Sequence, residues 1–252
     1  MLKNIFALMT ISTLSFAGQV SITWGDNESL NEVYPQLSKV VKINKVPYAT
    51  NVMNVTKGND SPVFLSVEDA MVDIFGGCIS QKDENVEWQC VDKFSISSVE
   101  VTNFMYNKFD PEHKNNTNNP NSPVVDINIE DAKNYISWLS KKTGIKYRLP
   151  TIDEWQYAAL AGTNAGVIHS VCEYANLKSC NDLNSISAVG SYLANNWGLY
   201  DMYGNVWEMT NGADLSIVGG SWNSSIQLVN KNLQFNGKKS NDVGFRLAVS
   251  GI

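Results

Sequence analysis

Histidine is nearly missing from this chain. His113 and His169 are the only two in 252 residues, and no paired spacing of ligand type occurs. Charge is also scarce, at 17% of residues, and Lys and Arg never cluster into a run. Phosphate binding depends on clustered cations, so a formal net charge of −6 without a basic patch leaves no nucleic-acid partner to expect. No apolar stretch approaches the ~20 residues that a membrane span requires. The longest, Ile5 to Leu14, follows Lys3 and precedes Ser15-Phe16-Ala17, the layout of a secretion signal cleaved after Ala17. No cysteine stands directly after it, so no lipid anchor is indicated. The mature protein is expected to be periplasmic or secreted, with no membrane association after signal removal.

Cysteines are few but even in number. Cys78 and Cys90 form one local pair, Cys172 and Cys180 another. In an oxidising compartment an even count suggests two disulfides. The spacings C-x11-C and C-x7-C are not those of zinc sites.

Asn, Ser and Gly are plentiful, which suits a loop-rich secreted domain. Residues 18–62 hold short alternating pieces and form an N-terminal arm to which no function is assigned. The turn cluster at 57–62 marks a boundary, and 63–252 make the main domain. Phe94 to Thr102 alternates as a half-buried strand does, and Thr102 can cap a short helix from Asn103. Asn128 and Asp131 open a helix whose apolar stripe is Ala132, Tyr135, Ile136 and Leu139, with Gly144 placed to end it. Thr151 and Glu154 form a capping box for a second helix that Gly162 is expected to stop.

Asn195 to Thr210, NNWGLYDMYGNVWEMT, packs aromatics, glycines and two carboxylates into one loop. Folded about Gly204, Asp201 and Glu208 with intervening carbonyls could surround one hard cation. A tight turn with solvated acids is the plain alternative.

The flanking blocks decide how this loop is read. YRLPTIDEWQYAALAG (Tyr147 to Gly162), VGGSWNSS (Val218 to Ser225) and GFRLAV (Gly244 to Val249) surround it. FSISSVEVTNFMYNKF (Phe94 to Phe109) precedes them all. In this order the blocks resemble the formylglycine-generating enzyme, or sulfatase-modifying-factor, family from about Phe75 onward. The resemblance implies an α+β, C-type-lectin-like fold: loop-rich, with a small antiparallel sheet and two main helices. It implies calcium bound by Asp201, Glu208 and the carbonyls of Gly204 and Val206. It matches Asn176 and the carbonyl of Leu177 to a second calcium, with further ligands near Asn181, Asp182 and Leu183, although Asn and Asp there also serve as turn formers. Trp207, Ser221 and Trp222 align with pocket-forming positions, which Asn223 and Ser224 adjoin, and core packing is the other role open to both tryptophans. Arg246 is read as one half of a buried ion pair.

The enzyme that names the family holds copper through two thiolates, since soft sulfur selects Cu(I). Ser224 and Val229 stand at those two positions, so no copper and no formylglycine-generating activity are expected. The scarcity of histidine excludes the branch with a histidine iron site. The leading reading is a ligand-binding or accessory protein whose partner is a small molecule, peptide or protein; the alternatives are a tailoring enzyme like the periplasmic pyoverdine branch and a formylglycine-generating-like oxidoreductase. In the variable proteins of diversity-generating retroelements, related by the same resemblance, the segment from GGSW to GFRL contacts ligand. Here that segment is Asn223 to Asp242.

Overall fold

The computed structural model describes residues 70–80, 88–114, 119–161, 171–180, 183–212 and 215–251. It also gives the backbone of four strands nearer the N-terminus: β1 (Thr10–Ile11), β2 (Gln19–Thr23), β3 (Val41–Asn44) and β4 (Asn54–Lys57), paired antiparallel in that order. The remainder of the expected signal segment and arm, and the ligand candidates Asn181 and Asp182, lie outside the described residues.

The main domain runs β5 (Met71–Ile74), β6 (Gly77–Ser80), β7 (Trp88–Val91), β8 (Phe94–Ser97), α1 (Asn103–Tyr106), α2 (Ile129–Thr143), β9 (Tyr147–Arg148) and α3 (Ile152–Leu160). It continues with β10 (Trp207–Met209), β11 (Ser216–Val218), β12 (Leu233–Gln234), β13 (Val243–Gly244) and β14 (Ala248–Ser250). One antiparallel sheet has the order β5-β8-β14-β9. A second has the order β12-β11-β10-β13, in which β10 and β13 run parallel. The β6–β7 ribbon stands as a sheet of its own, with Cys78 directly opposite Cys90 and joined to it by a disulfide. Cys172 and Cys180 form the second disulfide, so both local pairs are made.

Local signals account for the helices. Both long helices carry full capping boxes, Asn128 with Asp131 and Thr151 with Glu154. Each box satisfies N–H groups that the first turn leaves without helical partners. Gly144 ends α2 in the left-handed region at φ 80°. The end of α3 differs from expectation: Ala161, at φ 47°, makes the left-handed turn one residue before Gly162. The strand read at 94–102 also stops early, at Ser97. From Ser98 the chain leaves the β14 ladder, and its amides reach Ala70 and Phe245 in turn.

Glu154 does more than cap. Its two oxygens accept from Arg148 Nη1 and Nη2 at 2.6 Å each, and Oε2 also accepts from Thr151 N at 2.9 Å. This one carboxylate therefore pins β9 to the start of α3. Glu154→Ala is expected to lower stability by roughly 1–3 kcal/mol, the range of a lost cap plus a charged hydrogen bond at a partly screened position. A urea melt followed by circular dichroism checks it, and an unchanged midpoint would show the pair to be idle.

Two apolar cores form. The first gathers Val99, Val101, Tyr106, Tyr135, Trp207, Met209, Phe245 and Leu247 under α2. The second gathers Phe94, Ile96, Trp155, Leu177, Leu199, Met202 and Val218 against α3. Between Val99 and Val101 stands Glu100, between Trp207 and Met209 stands Glu208, and between Phe245 and Leu247 stands Arg246. In extended chain successive side chains take opposite faces. Three charges are thereby turned away from the first core and into the seam between the two.

Candidate functional site

The seam holds Glu100, Asp201, Glu208 and Arg246, none more than 2% exposed. Arg246 donates from Nε to Glu208 Oε2 and from Nη2 to Glu208 Oε1, both at 2.6 Å. Nη1 reaches Ser97 O at 3.0 Å and Nη2 reaches Tyr200 O at 2.9 Å. Trp155 Nε1 adds a third bond to Glu208, at 2.7 Å to Oε2. The buried ion pair read at Arg246 is thus formed, and its partner is Glu208 itself. Burial disfavours the guanidinium cation, but the charge and hydrogen bonds of Glu208 outweigh it and hold Arg246 above its usual range.

The other two carboxylates are less well served. Asp201, at φ 54°, accepts Gly190 N on Oδ2 at 2.6 Å, while its Oδ1 has no partner. Glu100 accepts Asn205 Nδ2 on Oε1 at 3.0 Å, while its Oε2 has none. Burial, and then the negative charge of Asp201, push Glu100 well above the usual carboxylate range. Burial likewise raises Asp201 to about 6, against the Gly190 amide and Arg246.

Loops position these groups. Asn205, fully buried at φ 57°, is the node. Its amide donates to Asn176 O, its carbonyl accepts Trp222 N, and its Oδ1 accepts Ser187 N at 3.0 Å. Gly204, at φ 77°, lies so close to the chain at Asn176 that a Cβ would sit 2.2 Å from the Asn176 carbonyl oxygen. Asn176 Nδ2 donates to Ser185 O at 2.9 Å, and the Leu177 carbonyl accepts Cys180 N at 2.9 Å. Leu183, by contrast, is exposed.

Asp201 and Glu208 therefore share one buried cluster, with Gly204 and Val206 in the turn between them. Their commitments differ: Glu208 faces Arg246, and Asp201 keeps an unspent oxygen. That orphaned oxygen suits a hard cation with an oxygen shell, and Glu100 carries a second buried oxygen without a partner. Among the described residues no three His, Cys, Asp or Glu side chains form a metal-holding group, so carbonyls or water would complete such a shell. Glu100 was not among the residues singled out above. The signal was an acid flanked by valines, V-E-V, which repeats the apolar-charge-apolar form of W-E-M and F-R-L.

The pocket candidates lie on the neighbouring loop. Trp207 is buried in the first core. Ser221 Oγ donates to Asp242 Oδ2 at 3.1 Å, and Ser221 N donates to Ser224 Oγ at 2.9 Å. Trp222 is partly buried, and its Nε1 makes no hydrogen bond among the described residues. Asn223 is exposed and accepts from Lys178 Nζ at 3.4 Å. A Cβ on Gly220 would meet Val229 Cγ1 at 3.4 Å and Ser224 Cβ at 3.5 Å. Ser224 and Val229 thus both border Gly220, and both are buried.

Residues 60–250 match the family described as the sulfatase-modifying factor enzyme 1-like domain. The chain belongs to this family. Among curated relatives, the formylglycine-generating enzyme of Mycobacterium tuberculosis is 36% identical over 103 residues, covering 35% of this chain and 32% of that protein. The inactive C-alpha-formylglycine-generating enzyme 2 of Bos taurus is 33% identical over 102 residues, with 35% and 32% covered. The chain spans about a third of the length of these relatives. Among solved structures, Treponema denticola variable protein 1 superposes with a TM-score of 0.63 at 20% identity, over 72% of this chain and 95% of that one. PvdO from Pseudomonas aeruginosa gives 0.60 at 24%, over 72% and 94%. These structures share the sulfatase-modifying-factor fold with the chain, which agrees with the α+β, loop-rich architecture expected from its sequence.

Proposed function

We propose that this family member is an exported, calcium-stabilised domain that serves as a ligand-binding or accessory protein and carries no copper-oxidase chemistry. The observation that carries the reading is at Gly220. Ser224 and Val229, which take the positions of the thiolate pair, both border it. The Ser224 hydroxyl is occupied by Ser221 N, and all four cysteines of the chain are in disulfides. No thiolate is left to hold Cu(I), and neither a hydroxyl nor an isopropyl group replaces one. The kinship with an enzyme named inactive is in keeping with this.

Calcium in this reading is structural. Asp201 supplies an oxygen to it, and the ion offsets negative charge that Arg246 leaves unbalanced. The ligand surface is the segment from Ser221 to Asp242, where Asn223, Gln227 and Asn232 are exposed above the buried Ser221, Ser224 and Val229.

The purified protein is expected to lose a competition for Cu(I) against a bicinchoninate chelator and to leave a sulfatase-motif peptide unmodified by mass spectrometry. Ser224→Cys with Val229→Cys is expected to gain Cu(I) binding in the same competition, because both positions border Gly220 and the pair restores two soft thiolates. Formylglycine formed by the wild-type protein would overturn the proposal.

A further inference from the structure

We infer that the Cys78–Cys90 bridge is a thiol–disulfide exchange site: a dithiol reductant opens it in the folded protein, and opening it loosens the segment around Asn232. The exchange stands apart from the ligand-binding reading; only its consequence for the Ser221–Asp242 surface rests on that reading.

The face that the bridge occupies comes first. Across the β6–β7 ribbon Gly77 pairs with Val91, Cys78 with Cys90 and Ile79 with Gln89. Successive side chains in a strand take opposite faces, so positions 77, 89 and 91 share one face and the two cysteines take the other. The first face is turned to the domain. Gly77 lies against the Tyr157 hydroxyl, with no room for a Cβ. Val91 packs on the second core. Gln89 Nε2 donates to Asp153 Oδ1 and, at 3.4 Å, to Gln156 Oε1, both on α3. The cysteines therefore face outward, and both residues are exposed.

The other disulfide is the comparison. Cys172 is exposed, but Cys180 is half-buried and packs against the second core. Exchange requires a thiolate to reach a bridge sulfur, so access sorts the two bridges. A thiolate of the reductant attacks one sulfur of the Cys78–Cys90 bridge and the S–S bond breaks. The other cysteine leaves as a thiolate and takes up a proton. The second thiol of the reductant then attacks the mixed disulfide and releases the first cysteine. Two electrons and two protons pass to the protein, and the reductant departs as a disulfide.

Opening the bridge reaches further than the ribbon. β6 and β7 are strands of 4 residues each that make a sheet of their own. A lone two-stranded ribbon is marginal in water, and the bridge restricts the states it can loosen into. Gln89, next to Cys90, holds Gln156, and Gln156 Nε2 donates to Asn232 Oδ1 at 3.1 Å. A contiguous path thus runs from the bridge through α3 to the exposed Asn232.

The test uses the mature full chain with dithiothreitol as the reductant. Released thiols are alkylated and located by mass spectrometry, while hydrogen exchange and circular dichroism follow the fold. Cys78 and Cys90 are expected to be labelled roughly tenfold faster than Cys172 and Cys180. With the first bridge open, amide exchange over residues 226–234 is expected to rise about threefold or more, with α2 unchanged. Gln89→Ala, kept oxidised, is expected to raise exchange over the same residues, because it cuts the path without touching the bridge. Equal labelling of the two bridges overturns the inference, and so does unchanged exchange at 226–234 in the reduced protein or in Gln89→Ala. Loss of the whole fold on opening overturns it too, and makes the bridge a structural staple. None of these readouts uses a ligand, so they hold or fail whether or not the Ser221–Asp242 surface binds one.

Discussion

Arg246→Met is expected to leave the protein largely unfolded near 37 °C. The substitution keeps an unbranched side chain of similar reach but removes the one positive charge that the described residues place in a seam holding Glu100, Asp201 and Glu208. Breaking a buried pair by deleting one partner costs about 3–5 kcal/mol, because the other charge stays buried. Here the carbonyls of Ser97 and Tyr200 lose their donors as well. A typical domain has only about 5–15 kcal/mol in total. Urea denaturation read by tryptophan fluorescence measures the loss. Adding Glu208→Leu to the same protein is expected to restore a large part of it, since two apolar groups of suitable shape can replace an ion pair at little net cost. A single variant whose stability stays within roughly 1 kcal/mol of wild type, the scale of one ordinary hydrogen bond, would show that the seam tolerates its charges without arginine.

The second large effect is expected at Gly204. Two things exclude a side chain there. The backbone is left-handed at φ 77°, and an added Cβ would lie 2.2 Å from the Asn176 carbonyl oxygen, which belongs to main chain and cannot swing aside. The conformational cost alone is about 1–2 kcal/mol, and forced overpacking adds roughly 1–3 kcal/mol. Gly144→Ala is the control. Its φ of 80° is nearly the same, but nothing lies within 4 Å of the added carbon. Subtracting the Gly144→Ala loss from the Gly204→Ala loss isolates the clash. Equal losses would mean that the 176–204 approach relaxes freely.

Much of the scaffold was legible because its causes are local. Asn128 with Asp131, and Thr151 with Glu154, are signals three residues apart, and the structure uses both as capping boxes. The paired cysteines close loops of 12 and 8 residues. What was not legible is long-range. Glu100 meets Asn205 across 105 residues, and Arg246 meets Ser97 across 149. Nothing near Glu100 in the chain announces that contact, and an acid between two valines reads equally well as the solvent face of a strand. The parallel pairing of β10 with β13 is hidden for the same reason, since the 33 positions between Met209 and Val243 carry no trace of which strand they return beside. Asp201 was found from its own loop, but how its two oxygens divide between an amide and nothing at all depends on Gly190 and Glu100.

The placement of β14 also has a consequence in time. It lies inside its sheet, hydrogen-bonded to β8 on one side and β9 on the other, although it comes after both in the chain. A ribosome releases β8 about 150 residues before β14. Until then β8 has one bare flank, and Glu208 has no arginine. The domain therefore has no early half that can set on its own. Its order of assembly is last-in, first-needed, so refolding is expected to be slow, to speed up little when nascent chains are lengthened short of residue 246, and to suffer most from aggregation in that interval.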